Sequence, residues 1–214
     1  KGAYVGNYAY GGGLGNENDA FVGSGDVYGT TYIALLGGVV SKDLYAAGTS
    51  GAVYNIFGAQ NLTASSNAFI AGGSARNVYG GGWKGSVGYH KGDITTIPTA
   101  DAPDIPGETH VVIGIRPDQT SLPADYGLYN GVPAIQRNAY GGGEGGSVIG
   151  QANLTLNNGY IGYIYNAETQ AYEEKVDDET WTDHVGKDRL SDCGNLFGGG
   201  YDDNSCVDKS HVIM

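Results

Sequence analysis

RNVYGGGWKGSVG, residues 76–88, sets an aromatic ahead of three glycines and then resumes an alternating pattern at Ser86 and Val87. Three consecutive glycines suit a linker, a loop that offers backbone amides to a phosphate, or a tight architectural corner. Recurrence decides between them. The same word ends YAYGGG at Gly13, DLYAAG at Gly48, NVYGGG at Gly82, NAYGGG at Gly143 and NLFGGG at Gly200. Its aromatics are Tyr10, Tyr45, Tyr79, Tyr140 and Phe197, spaced 35, 34, 61 and 57 positions apart. Ala9, Leu44, Val78, Ala139 and Leu196 precede them, and Asp43, Asn77, Asn138 and Asn195 stand one place earlier, with Tyr8 the exception. A phosphate cradle needs the N-terminus of a helix after the glycines. Here another strand-like run follows, with no Gly-Lys-Ser/Thr ending, so the word is architectural.

Two further words keep the same order. One is a β-type run closed by small residues: TTYIALLGG (30–38), SNAFIAGG (66–73), THVVIGI (109–115) and ANLTLNNG (152–159), with KSHVIM (209–214) opening a fifth. The other is Gly85-Ser86-Val87, matched by Gly146-Ser147-Val148 and nearly by Gly51-Ala52-Val53. Two insertions account for the long spacings. Residues 92–133 hold all six prolines, which cannot donate to a ladder, and read as loops. Residues 167–189 are acidic, and Tyr172, Val176 and Trp181 are placed to pin a hairpin or short helix.

Alternation with period 2, enrichment in Val, Ile, Tyr and Thr, and Gly-Gly or Asn-Gly boundaries are strand chemistry. The expected fold is all-β: a β-solenoid (β-helix) of stacked ~35-residue repeats with two loop insertions, each unit burying its apolar face only on its neighbours. A kelch-like β-propeller is the alternative; its blades run to about 50 residues, and the matching tryptophan occurs once, at Trp83. Stacking places the five aromatics in one ladder and Asn77, Asn138 and Asn195 in another. Asparagine tolerates the left-handed conformation and bonds its own backbone, which suits a corner. Strict alternation buries the Ala/Leu/Val position and turns the aromatics outward, unless the corner breaks the phase. Both ends fall within a unit, so residues 1–214 read as a single array cut from a longer protein.

The chain has 214 residues, 39 of them glycine and 17 tyrosine, with a formal net charge of −12. That charge argues against nucleic acid, whose binding needs a basic stripe. No apolar run reaches the ~20 residues of a membrane-spanning helix. Cys193 and Cys206 are a candidate disulfide closing a short loop, worth about 3 kcal/mol on the chain-entropy model; two thiols are the alternative.

Strings such as NVYGGGWKGSVG, flanked by strands of the T-x-V-x-I type, resemble the Tyr-Gly-Gly-Gly (VYGGG-type) repeats of very large secreted or surface-anchored, adhesin-like proteins of gut anaerobic bacteria. The resemblance covers most of the chain outside the two insertions and implies export, an elongated solenoid and no conventional active site. YAAG at 45–48 departs from the pattern.

Asp202, Asp203 and Asn204 cluster oxygens of the kind calcium prefers, although the nine-residue period of calcium-binding β-rolls is absent. Asp202 and Asp203 also imitate the paired acids of β-helical polysaccharide lyases and hydrolases, but adjacent strand residues face opposite sides. His110 and His211 fall at one repeat position, in THVV and SHVI. Asn-Leu-Thr at 61–63 and 153–155 matches the N-glycan acceptor pattern. The expectation is a non-catalytic extracellular structural or adhesive module, part of a surface fibre, joined end to end with other repeats or subunits and touching a host or microbial surface glycan or protein. A polysaccharide-processing enzyme and a glycan- or calcium-binding module are the alternatives.

Overall fold

The computed structural model describes residues 3–16, 25–55, 63–89, 104–115, 132–166, 168–174 and 193–214. Every regular element among them is a β-strand. The longest strands are β4 (Thr30–Leu35), β8 (Ala64–Ile70), β11 (Gly107–Ile113), β14 (Val148–Leu156) and β19 (Val207–Ile213), which form one parallel sheet in that order. Their alternation is the cause: along β8 and β11 every second side chain is buried, so each strand offers one face to the interior. Two more five-stranded parallel sheets are built from two-residue strands. One contains β1 (Tyr4–Val5), β5 (Val39–Val40), β9 (Ser74–Ala75), β12 (Ala134–Ile135) and β15 (Tyr160–Ile161). The other, the corner sheet, contains β2 (Ala9–Tyr10), β6 (Leu44–Tyr45), β10 (Val78–Tyr79), β13 (Ala139–Tyr140) and β18 (Leu196–Phe197). β3 (Val27–Tyr28) pairs with β7 (Val53–Tyr54) in parallel, and β16 (Tyr163–Asn166) with β17 (Ala171–Glu174) as an antiparallel hairpin.

The all-β class agrees with the sequence. The expected single β-solenoid and its propeller alternative do not: the strands divide among several separate parallel sheets. Propeller blades are antiparallel, whereas all three large sheets pair in parallel. The step between paired strands lengthens where residues 92–133 intervene. Thr30 pairs with Ser65 and Val78 with Leu44, but Ala64 pairs with Gly107 and Val78 with Ala139. Glycines and bends cut the shorter ladders after two residues, so the words make distinct sheets.

Register nevertheless follows the words closely. Thr31, Ser66, Thr109, Ala152 and Ser210 are successive partners, as are Val53, Val87 and Val148. The main core draws on all three large sheets: Val40, Ala75 and Ile135 from one, Leu44, Val78 and Ala139 from the corner sheet, and Leu35, Ile70, Ile113 and Leu154 from the long-stranded sheet. A smaller cluster joins Ala47, Val53, Ala64, Val87 and Val148.

The glycine triplets answer to crowding rather than to a special backbone conformation. A β-carbon on Gly81 would lie 2.7 Å from the amide nitrogen of Gly143, and one on Gly142 would lie 2.8 Å from that of Gly200. Neither residue has a left-handed φ. The proline-bearing stretch 92–133 is not one loop, because β11 runs through it; its flanks at 92–103 and 116–131 lie outside the described residues. Of the acidic insertion, residues 168–174 complete the hairpin, with Tyr172 stacked on Tyr160 at 4.3 Å; Val176 and Trp181 lie outside the described residues.

Gly81→Ala is expected to destabilise the chain by about 1–3 kcal/mol, the usual cost of overpacking, because the added methyl meets backbone that cannot rotate away. Urea denaturation followed by circular dichroism measures it.

Candidate functional site

The corner sheet concentrates the chain's unusual chemistry. In a two-residue strand the two side chains face opposite ways. Leu44, Val78 and Ala139 enter the main core, while Tyr45, Tyr79 and Tyr140 project from the other face. The aromatics are not left in solvent. Tyr45, Tyr79 and Tyr140 are at most 3% exposed, covered by Tyr8, Tyr10, Trp83 and Tyr201.

Parallel register stacks the rings. Tyr10 lies 4.9 Å from Tyr45, Tyr45 4.9 Å from Tyr79, Tyr79 4.7 Å from Tyr140 and Tyr140 5.0 Å from Phe197. Interplanar angles run from 7° to 14°. Such pairs contribute about 0.5–1.5 kcal/mol each beyond burial. All five predicted aromatics are therefore brought together.

The three asparagines form a second ladder beside the rings. The backbone N–H of Asn138 donates to Asn77 Oδ1 at 3.0 Å, and that of Asn195 donates to Asn138 Oδ1 at 3.0 Å. Asn77 donates its own N–H to Asp43 Oδ1 at 3.0 Å, so Asp43 heads the row. The expected left-handed asparagine corner is thus corrected, since none of the three has a positive φ. Asn77 and Asn138 serve the adjacent strand, whereas Asn195 Nδ2 also donates to the carbonyl of its own Cys193 at 3.3 Å. The reason is spacing: the next backbone N–H lies one strand away, within reach of a short amide.

Asp43 is buried and accepts from Arg76 Nε at 2.7 Å and also from Arg76 Nη2, a bidentate ion pair. Burial pulls the Arg76 guanidinium toward neutrality, but the hydrogen bond and charge of Asp43 outweigh it and hold its pKa above the ordinary arginine value. On the ring side, the Tyr45 hydroxyl donates to the buried carboxylate of Glu144. Burial first, then the charges of Asp43 and Glu144, push Tyr45 and Tyr79 well above the usual phenol range.

Arg76, Arg137 and Glu144 escaped the sequence reading. Their signal was present: Arg-Asn-apolar-Tyr occurs at 76–79 and 137–140, and Glu144 stands four places after its aromatic, where Trp83 and Tyr201 stand after theirs. A charge in an apolar slot of a repeat is a cue to a buried polar network.

The other predicted residues do not join this cluster into a reactive centre. Cys193 and Cys206 carry thiols, not a disulfide. They lead into β18 and β19, which belong to different sheets. Asp202, Asp203 and Asn204 form a turn in which Asp202 Oδ1 accepts from the Asp203 N–H and the Asp202 carbonyl accepts from the Ser205 N–H. Among the described residues no three His, Cys, Asp or Glu side chains gather as metal ligands. His110 and His211 share one outward row with Asn153 between them, and His110 Nε2 lies 3.3 Å from Glu108 Oε2. Asn153 sits within β14 and donates to the Thr109 carbonyl; Asn61 lies outside the described residues.

At one end of the three sheets lies an apolar groove of about 460 Å³, lined among others by Leu156, Ile161, Leu196, Val212 and Met214. Burial falls away toward this end: Leu154 is fully buried, whereas its partner Val212 is 39% exposed, and Phe197 is 38% exposed. No family model, no curated protein and no solved structure matches the chain.

Two outcomes follow from this geometry. Asp43→Asn strands the Arg76 charge in the interior and is expected to cost about 3–5 kcal/mol, read from denaturant midpoints. Alkali is expected to unfold the protein in a defined window. Unfolded tyrosines ionise near 10.0, whereas burial pushes Tyr10 up to about 12. The stabilisation from neutral rings is therefore complete below pH 10 and is lost as pH rises toward 12. Tyrosinate absorbance and circular dichroism should change together; rings that ionise in a folded chain contradict this.

Proposed function

We propose that this chain is a non-catalytic structural and adhesive module of an extracellular surface assembly. The observation that supports it best is the in-register parallel ladder running through five strands in each of three sheets. Each strand repeats the side-chain rows of the last, so the scaffold extends by addition of like units. The buried charges fit the same reading. Asp43, Arg76 and Glu144 are engaged with backbone, amide, phenol and each other, holding neighbouring strands in place. The partners of such a module are other units or subunits at its ends and a glycan or protein of a host or microbial surface.

The test is a pair of measurements on the purified chain. Beads carrying it are expected to be retained under flow by mucin-glycan or matrix-protein coatings. Incubation with acidic polysaccharides is expected to release no new reducing ends. Turnover of such a polymer would overturn the reading in favour of an enzyme, and beads that no coating retains would overturn its adhesive part.

A further inference from the structure

We propose that the aromatic ladder is a one-electron redox site. It gives up an electron to an outer-sphere oxidant at the surface and holds the vacancy as a neutral tyrosyl radical on Tyr45, whose proton passes to Glu144. The proposal goes beyond the adhesive reading and does not depend on it.

The stacked rings supply the path. Tyr45, Tyr79 and Tyr140 follow one another at 4.9 and 4.7 Å, with planes within 7° of parallel. Electronic coupling between π systems falls off exponentially with separation, so rings stacked at this spacing exchange an electron readily. All three are buried, but partly buried aromatics pack on them from loops: Tyr8, 6.3 Å from Tyr45, and Trp83. Each of these covering rings carries a cation. Lys42 Nζ lies 4.8 Å from the Tyr8 ring centre, and Lys84 Nζ lies 4.8 Å from that of Trp83. An ammonium against a ring is attracted by its electrons and repelled by a positive charge on it. A vacancy formed on a covering ring is therefore driven inward, to the row.

Glu144 supplies the resting place. Loss of an electron makes a phenol hydroxyl strongly acidic, and a buried ring has no water to take the proton. The Tyr45 hydroxyl donates to Glu144, itself only 2% exposed. An acceptor in hydrogen-bond contact is the geometry that proton transfer requires. The step balances. One electron goes to the oxidant, the Tyr45 O–H bond breaks, and an O–H bond forms on the Glu144 carboxylate. The products are a neutral radical and a neutral carboxylic acid. Burial favours that direction, because a desolvated carboxylate is costlier than the neutral acid. An exposed tyrosine gives its proton to water and gains no such relief. Tyr140 differs too: its hydroxyl accepts from Asn138 Nδ2 at 3.3 Å, and an amide cannot take a proton. At rest, burial and the nearby carboxylates keep Tyr45 protonated, so the transfer to Glu144 is part of forming the radical.

Flash photolysis of the purified chain with tris(bipyridine)ruthenium(II), quenched by pentaamminechlorocobalt(III), supplies the one-electron oxidant. Transient absorption and electron paramagnetic resonance, with ring-deuterated tyrosine as the label, read the product. One neutral tyrosyl signal is expected to dominate and to outlive that of the urea-unfolded chain. Tyr45→Phe keeps a ring in the stack and is expected to abolish this signal. Glu144→Gln keeps an acceptor for the hydroxyl but removes the base, and is expected to slow radical formation about a hundredfold, the ordinary contribution of a positioned base. Circular dichroism reports whether each variant folds. A further measurement needs no substitution: chelated nickel in solution relaxes exposed radicals, and is expected to leave this one unaffected. A signal that survives Tyr45→Phe, formation undiminished in folded Glu144→Gln, or a radical that nickel relaxes as strongly as in the unfolded chain overturns the assignment.

Discussion

The distance between adjacent parallel strands, about 4.7–4.9 Å, governs nearly every feature of this molecule. Ring centroids in the aromatic ladder repeat at 4.7–5.0 Å because each ring is carried on one strand of a paired row. The asparagine row works at the same spacing, one amide reaching one backbone N–H on the next strand. The glycine triplets follow from it too. At Gly81 and Gly142 the backbones of successive units approach so closely that a β-carbon has no room, whereas the corner of the second unit accommodates Ala46 and Ala47.

That spacing explains how charge survives inside so small a cross-section. Asp43 occupies the asparagine position at the head of its row and accepts both the next backbone N–H and the Arg76 guanidinium. A carboxylate serves there because one group satisfies two kinds of donor. Glu144 plays a related part on the aromatic side, accepting the hydrogen bond of the Tyr45 hydroxyl where Trp83 and Tyr201 stand in neighbouring units. Neither charge strengthens the fold in the way a hydrophobic residue of equal size does. Each ties strands together; removing Asp43 leaves Arg76 buried without its counter-charge, and removing Tyr45 leaves the Glu144 carboxylate without that hydrogen bond.

Much of the strand content was legible. Alternation in TTYIALL, SNAFIA and THVVI located the long strands, and the aromatic–glycine word located the corner sheet. The five aromatics were recognised as a ladder because their word recurs. The ion pair was not, since Arg76 and Asp43 belong to different units and nothing local joins them. Sheet division also escaped: two-residue strands such as Ser74–Ala75 and Ala134–Ile135 have no periodicity to detect. Alternation correctly separated the two faces of the corner sheet. It could not tell that the aromatic face is sealed by Tyr8, Trp83 and Tyr201, which come from loops.

The sequence by itself determined which residues share a row, because parallel pairing in register places equal words side by side. It determined the aromatic identity of the ladder. Only the tertiary structure decided that the rows separate into distinct sheets, that Asn77 and Asn138 each accept the backbone N–H of the next strand, and that the cysteines remain thiols. These outcomes depend on distances between segments that a one-dimensional pattern does not carry. A repeat states which residues are equivalent, and packing alone states what each equivalent residue touches.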